Sequence, residues 1–183
     1  MSRRLLPRAL ATALALSVLA LSSASRADEA PRDNALSVPL IGLMVHSLGL
    51  QYERRLPASF SLATSMGIRR SGGEDFDVLE LGFGVEGRYW LMGARLNAMR
   101  GPYFGARVEW GTTRVAEHDR VIGTTVRFGE SVSFGYRWVF WNRMELTPSV
   151  GFGARTELDG RGRLAPWTRP EVFRLGTTIG VVF

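Results

Sequence analysis

Ten charged residues at strand-like spacing are the ones whose types could do chemistry: Glu53, Glu80, Glu86, Glu109 and Glu145, with Arg88, Arg107, Arg137, Arg155 and Arg174. Each lies in a segment where apolar residues alternate with small or polar ones, so period two collects the ten on faces opposite the apolar side chains. Carboxylates in such a place suit a proton path or a general acid–base pair. An equal number of guanidiniums favours a satisfied ion network instead, because buried charges must be paired and hydrogen-bonded. Other reactive constellations fall short. His46 and Ser47 are adjacent, which points their side chains to opposite faces of a strand and separates base from nucleophile. His118-Asp119 reads as a solvated turn. Two separated histidines and no cysteine cannot supply a usual metal site. Gly82-x-Gly84 and Gly151-x-Gly153 lie inside strands rather than opening helices, so they are not phosphate loops. No catalytic, cofactor-binding or metal-binding residue is assigned.

The elements that must position the ten begin after residue 27. Arg3, Arg4 and Arg8 precede an apolar run from Ala9 to Leu21, and Ser25-Arg26-Ala27 has the small-x-small form of a cleavage site. Residues 1–27 are therefore expected to be a cleaved secretory signal peptide, since the run is shorter than the roughly 20 residues of a spanning helix. Four of the 23 basic residues (Arg3, Arg4, Arg8, Arg26) belong to it, which leaves 19 arginines against 17 acids. The formal charge of +6 thus says little about nucleic acid, and no basic stripe with stacking aromatics occurs. Residues 28–34 read as a short polar lead-in, and 35–183 as the folded domain.

That domain is expected to be an all-β, antiparallel up-and-down barrel crossing a membrane. Phe60, Leu62, Thr64, Met66 and Ile68 share a face, as do Leu79, Leu81, Phe83 and Val85, and then Phe104, Ala106, Val108 and Trp110. Val126 to Phe140, Leu146 to Phe152, and Phe173 to Phe183 repeat the pattern. Glycine within apolar alternating runs argues for tightly packed β-structure and against helices. Short connections at 55–57, 92–100 and 141–143 are placed on the periplasmic side, and turns at 71–75, 116–120 and 158–169 outside. Even parity then requires eight strands. The first would be Leu36 to Val45 with a turn near His46 to Gly49; a single bent first strand over 35–56 is the alternative. Pro148 inside a strand is tolerable at a rim or bulge. Glu130 falls on the apolar face, so it is expected above the membrane or beside a bulge at Gly129.

A barrel of eight strands is only wide enough for side chains to fill its middle, so the ten charged residues are expected to plug the lumen. Tyr52, Tyr89, Trp138, Phe140, Trp141 and Trp167 are candidates for interfacial girdles. Trp90 and Tyr103 have inward parity. Arg161, Arg163 and Arg169 could contact anionic lipid.

The chain resembles the small outer-membrane barrels of the OmpA/OmpX/OmpW type, and more nearly an uncharacterised family of such barrels. The resemblance rests on Tyr52-Glu53-Arg54-Arg55 followed by Phe60-Ser61-Leu62, and on Gly135-Tyr136-Arg137-Trp138, with Gly87-Arg88-Tyr89-Trp90 and Gly101-Pro102-Tyr103-Phe104. It implies a location in the cell outer membrane and a fold, without an activity. Ile179, Val181 and Phe183 resemble the C-terminal signal read by the barrel-assembly machinery. Lipid A deacylases carry a His-x-Ser pair, which neither His46 nor His118 provides.

The expected function is non-enzymatic: a monomeric outer-membrane protein with a structural or surface-interaction role, whose partners are outer-membrane lipid, lipopolysaccharide and the assembly machinery. No cofactor and no nucleic acid are expected. A narrow or lateral conduit for small apolar molecules is the alternative, and a barrel hydrolase comes third.

Overall fold

Alternation at period two builds eight strands, β1 (Asn34–Pro39), β2 (Ser47–Arg55), β3 (Phe60–Gly72), β4 (Phe76–Trp90), β5 (Gly101–Glu117), β6 (Arg120–Phe140), β7 (Met144–Asp159) and β8 (Arg174–Val182). The structure is a computed structural model that describes residues 32–40, 47–73, 76–92, 99–117, 120–159 and 173–183. Every neighbouring pair is antiparallel, and β1 pairs with β8, so the sheet closes into a barrel in chain order. Closure gives every strand a neighbour on both sides over at least part of its length.

Two ends can be told apart by their connections. The near end holds the start of β1, the end of β8 and the turns after β2, β4 and β6. The far end holds the connections after β1, β3, β5 and β7. Strand length rises from 6 residues in β1 to 21 in β6, so the β4–β7 side of the wall stands tallest at the far end. Residues 35–56 contain two strands. Ser47, Leu48 and Gly49 belong to β2 rather than to a turn, paired with Arg69, Ile68 and Gly67. β1 ends at Pro39, which has no amide hydrogen to extend a ladder; residues 41–46 of the expected first strand lie outside the described residues.

Of the two settings expected for Glu130, the bulge at Gly129 is not found. Glu130 stays in register between Val108 and Ala154, exposed on the outer face, and the β5–β6 ladder shifts only at Val115/Ala116. No bulge marks Gly129. Pro148 sits well inside β7, and the β6–β7 ladder is interrupted there: pairing stops after Gly135–Ser149 and resumes in the same register at Trp138–Leu146. A residue with no N–H cannot donate to that ladder.

Outward side chains are large, apolar and exposed, with Met66 58%, Val132 60% and Leu175 64% accessible. Aromatic cross-strand neighbours stack along this face, Phe60 on Tyr89 (centroids 5.1 Å), Phe104 on Phe134 (5.2 Å) and Phe83 on Trp110 (4.6 Å). The buried side chains lie inside the barrel, and most of the large ones are polar or charged. That inversion of the usual order is the feature to explain.

Candidate functional site

Glu53 of β2 is the centre of the near half. Its carboxylate is fully buried between Arg88 of β4 and Arg137 of β6. One oxygen, Oε2, accepts from Arg88 Nη1 (2.7 Å) and from Arg137 Nη2, while Oε1 accepts from the Ser61 hydroxyl. Trp90 Nε1 donates to the same hydroxyl (2.8 Å). Both guanidiniums rest on rings: Arg88 lies 4.6 Å from the Tyr103 centroid and Arg137 4.8 Å from that of Trp90. The two rings stack on each other at 4.9 Å. Arg88 Nη2 also donates to Glu86 Oε2 (2.9 Å), and Ser133 donates to Glu86 Oε1 (3.0 Å). Desolvated charge is tolerable here because donors converge on it.

Small residues opposite make this packing possible. A methyl group built on Gly135 would meet the Tyr103 ring at 2.5 Å, and one on Gly105 would lie 2.3 Å from Glu86 Oε1. Glu145 fits less well. Its Oε2 is 2.7 Å from Arg137 Nε, yet that N–H is directed to the Thr147 hydroxyl (3.2 Å), and neither Glu145 oxygen accepts a well-aligned hydrogen bond among the described residues. The near half therefore holds three carboxylates, Glu53, Glu86 and Glu145, around two guanidiniums.

The far half is built differently. Above Arg88 and Tyr103 the inward positions are mostly Gly, Ser and Thr, and a cavity of about 400 Å³ remains. Among the described residues six arginines line it (Arg69, Arg88, Arg107, Arg127, Arg155 and Arg174) with three glutamates (Glu80, Glu86 and Glu109), Arg88 and Glu86 being shared with the near half. Glu109 Oε2 serves two of them, Arg174 Nη1 at 2.9 Å and Arg107 Nε at 3.1 Å. Arg127 Nη1 donates to Glu80 (3.0 Å), Arg107 Nη2 to Ser65 (3.0 Å), and Arg155 pairs with Glu157 (3.0 Å). These side chains reach solvent, Arg127 being 18% and Arg174 43% exposed.

The ten charged residues singled out in the sequence all face the interior, but they form two groups rather than one plug. Glu53, Glu86, Arg88, Arg137 and Glu145 pack the near half; Glu80, Arg107, Glu109, Arg155 and Arg174 surround the cavity. Sequence reasoning missed Arg69, Arg127 and Glu157. All three have inward parity, Arg127 between Val126 and Phe128, so alternation alone could have found them. It also missed Ser61, Ser133 and Thr147, whose hydroxyls complete the pairs. Arg161, Arg163 and Arg169 lie outside the described residues. Ile179 and Val181 lie on β8, opposite Leu146 and Met144 of β7, and Phe183 follows directly.

On the outer wall near the far end, Arg70 grips Asp77 in a two-pronged pair, Nε to Oδ1 2.8 Å and Nη2 to Oδ2 2.6 Å. Those hydrogen bonds, helped by the adjacent positive charge, hold the Asp77 carboxyl below its ordinary pKa.

Comparison with curated proteins found no match, and neither did comparison with solved structures. One family model does match, over residues 14–160, a span that takes in β1 to β7, the near group of lumen charges and all of the far group but Arg174. The chain accordingly belongs to the family described as "Protein of unknown function (DUF3575)".

Proposed function

We propose that this chain is an integral outer-membrane β-barrel protein with a structural or surface-interaction role and no enzymatic activity. The observation that carries the reading is the outer wall: alternate residues of closed strands present large apolar side chains to the surroundings. Contiguous apolar surface on that scale is foreign to a water-soluble monomer. In lipid it is favourable, and a closed barrel pairs within itself the backbone groups that hydrocarbon cannot satisfy, here along most of the ladders. The near end, with the start of β1 and the end of β8, faces the periplasm, and the taller far end faces outward. Aromatic rings at the near rim, including Tyr89, Tyr136 and Trp138, sit at headgroup depth. Phe183, Val181 and Ile179 serve recognition by the barrel-assembly machinery.

The packed near half argues against axial conduction, and the charged lining of the cavity argues against a conduit for apolar molecules. Two experiments test the reading. The processed protein is expected to stay in the membrane fraction after a carbonate wash and to change electrophoretic mobility on heating; full release into buffer without detergent would overturn the proposal. Refolded protein in a planar bilayer is expected to be silent, whereas steady channels would make it a transporter. Removing Phe183 is expected to lower outer-membrane levels while secretion continues, which immunoblotting of fractions would report.

A further inference from the structure

We infer that the far-half cavity is a binding site for a small ligand carrying phosphate-type oxyanions. Its charge is unbalanced among the described residues: apart from Arg88 and Glu86, which belong to the near-half network, five arginines (Arg69, Arg107, Arg127, Arg155 and Arg174) meet three glutamates, Glu80, Glu109 and the Arg155 partner Glu157, and Glu109 is shared by two guanidiniums. A recess with low-dielectric walls focuses such an excess and concentrates counter-ions. Guanidinium forks match tetrahedral oxyanions in a two-pronged fashion, and they approach this space from β3, β4, β5, β6, β7 and β8. Donors beyond the arginines are also in place. The Thr178 hydroxyl lines the cavity and is buried without a hydrogen-bond partner among the described residues, and so is Nε of Arg88 at the floor. The volume, about 400 Å³, falls in the range of small-molecule pockets. The empty space adjoins Gly82, Ser131 and Ser149, whose side chains are too small to fill it; a methyl group on Gly82 would meet nothing closer than 3.8 Å. A sequence needing only a sealed barrel would place larger residues there.

Inorganic pyrophosphate is the probe. Purified protein in a maltoside detergent is titrated calorimetrically at fixed ionic strength. Saturable binding is expected, with the Arg174→Gln variant weaker by roughly tenfold, as for loss of one charged hydrogen bond. Glu109→Gln frees two guanidiniums and is expected to tighten binding. Arg54→Gln, on the outer wall at the near end, is expected to leave it unchanged. Absence of saturable heat with the unaltered protein would overturn the inference, and so would equal weakening by Arg54→Gln and Arg174→Gln. Both cavity variants are partly exposed and keep the near half intact, and their heat-modified mobility confirms that they fold. A second arm repeats the titration in phosphatidylcholine nanodiscs with and without phosphatidic acid. Competition by the acidic lipid assigns the source to a membrane headgroup; its absence assigns a free anion. A protein soluble without detergent would sink the membrane reading, yet the same titration in buffer would still decide the cavity.

Discussion

The two halves of the lumen are made from the same residue types and differ in what surrounds them. In the near half Glu53 collects three donors and its guanidinium partners lie on aromatic faces, so charge is buried and space is filled. In the far half the arginines outnumber the carboxylates, the neighbours are glycine and hydroxyl residues, and space is left. Charge sign follows the same division, with carboxylates in excess below and guanidiniums in excess above. The lesson is that an ion pair in a barrel can be a filler or a lining, and the size of the uncharged residues around it decides which.

The largest effect expected is in the near half. Glu53→Gln leaves Arg88 and Arg137 without their shared carboxylate, and a broken buried pair costs about 3–5 kcal/mol; urea unfolding in micelles would measure it. An unchanged midpoint would erase the distinction between the halves. The same small substitution made in each half gives a sharper test. Gly135→Ala drives a methyl group into the Tyr103 ring and is expected to cost about 1–3 kcal/mol as overpacking. Gly82→Ala meets nothing closer than 3.8 Å, the Arg127 guanidinium, and is expected to be tolerated. Reading both from one set of melting curves removes most differences in preparation.

Glu145→Gln is expected to be near neutral or slightly stabilising. It removes a buried charge that accepts no well-aligned hydrogen bond and leaves Glu53 and Glu86 to balance Arg88 and Arg137. A loss as large as that for Glu53→Gln would show that Glu145 is as well satisfied as its neighbour. The smallest effect lies outside the lumen. Because folding depresses the Asp77 pKa, its pair with Arg70 adds stability above the unfolded carboxyl's pKa, and that increment is lost as pH falls through the lower folded value. Asp77→Asn should therefore cost at most about 1 kcal/mol at neutral pH, and nothing once the wild-type carboxyl is protonated. Melting curves at pH 7 and in strong acid would show the gap closing.

Much of this was legible from alternation. The eight strands, their antiparallel order and the inward face of all ten charged residues follow from period two and from turn residues between runs. What alternation cannot supply is height along the barrel. Glu53, Arg88 and Arg137 are far apart in the chain, and only the stagger of successive strands brings them to one level. The same stagger separates Glu109 from Glu86 and leaves a cavity where uniform filling was expected. Arg127 was lost for a simpler reason: it stands in the longest strand, between residues read chiefly for their apolar face. For Glu130 the strand is unbroken, so a bulge at Gly129 does not account for it.

Pro148 carries one more consequence. Where its missing amide interrupts the seam between β6 and β7, Arg137 crosses from one strand to the other and holds Thr147 and Glu145 from inside. Side chains thus stitch the wall at the place where the main chain does not. Deuterium uptake by the amides flanking that slit should therefore report on the state of a guanidinium, and the barrel would first come unzipped there once Arg137 is withdrawn.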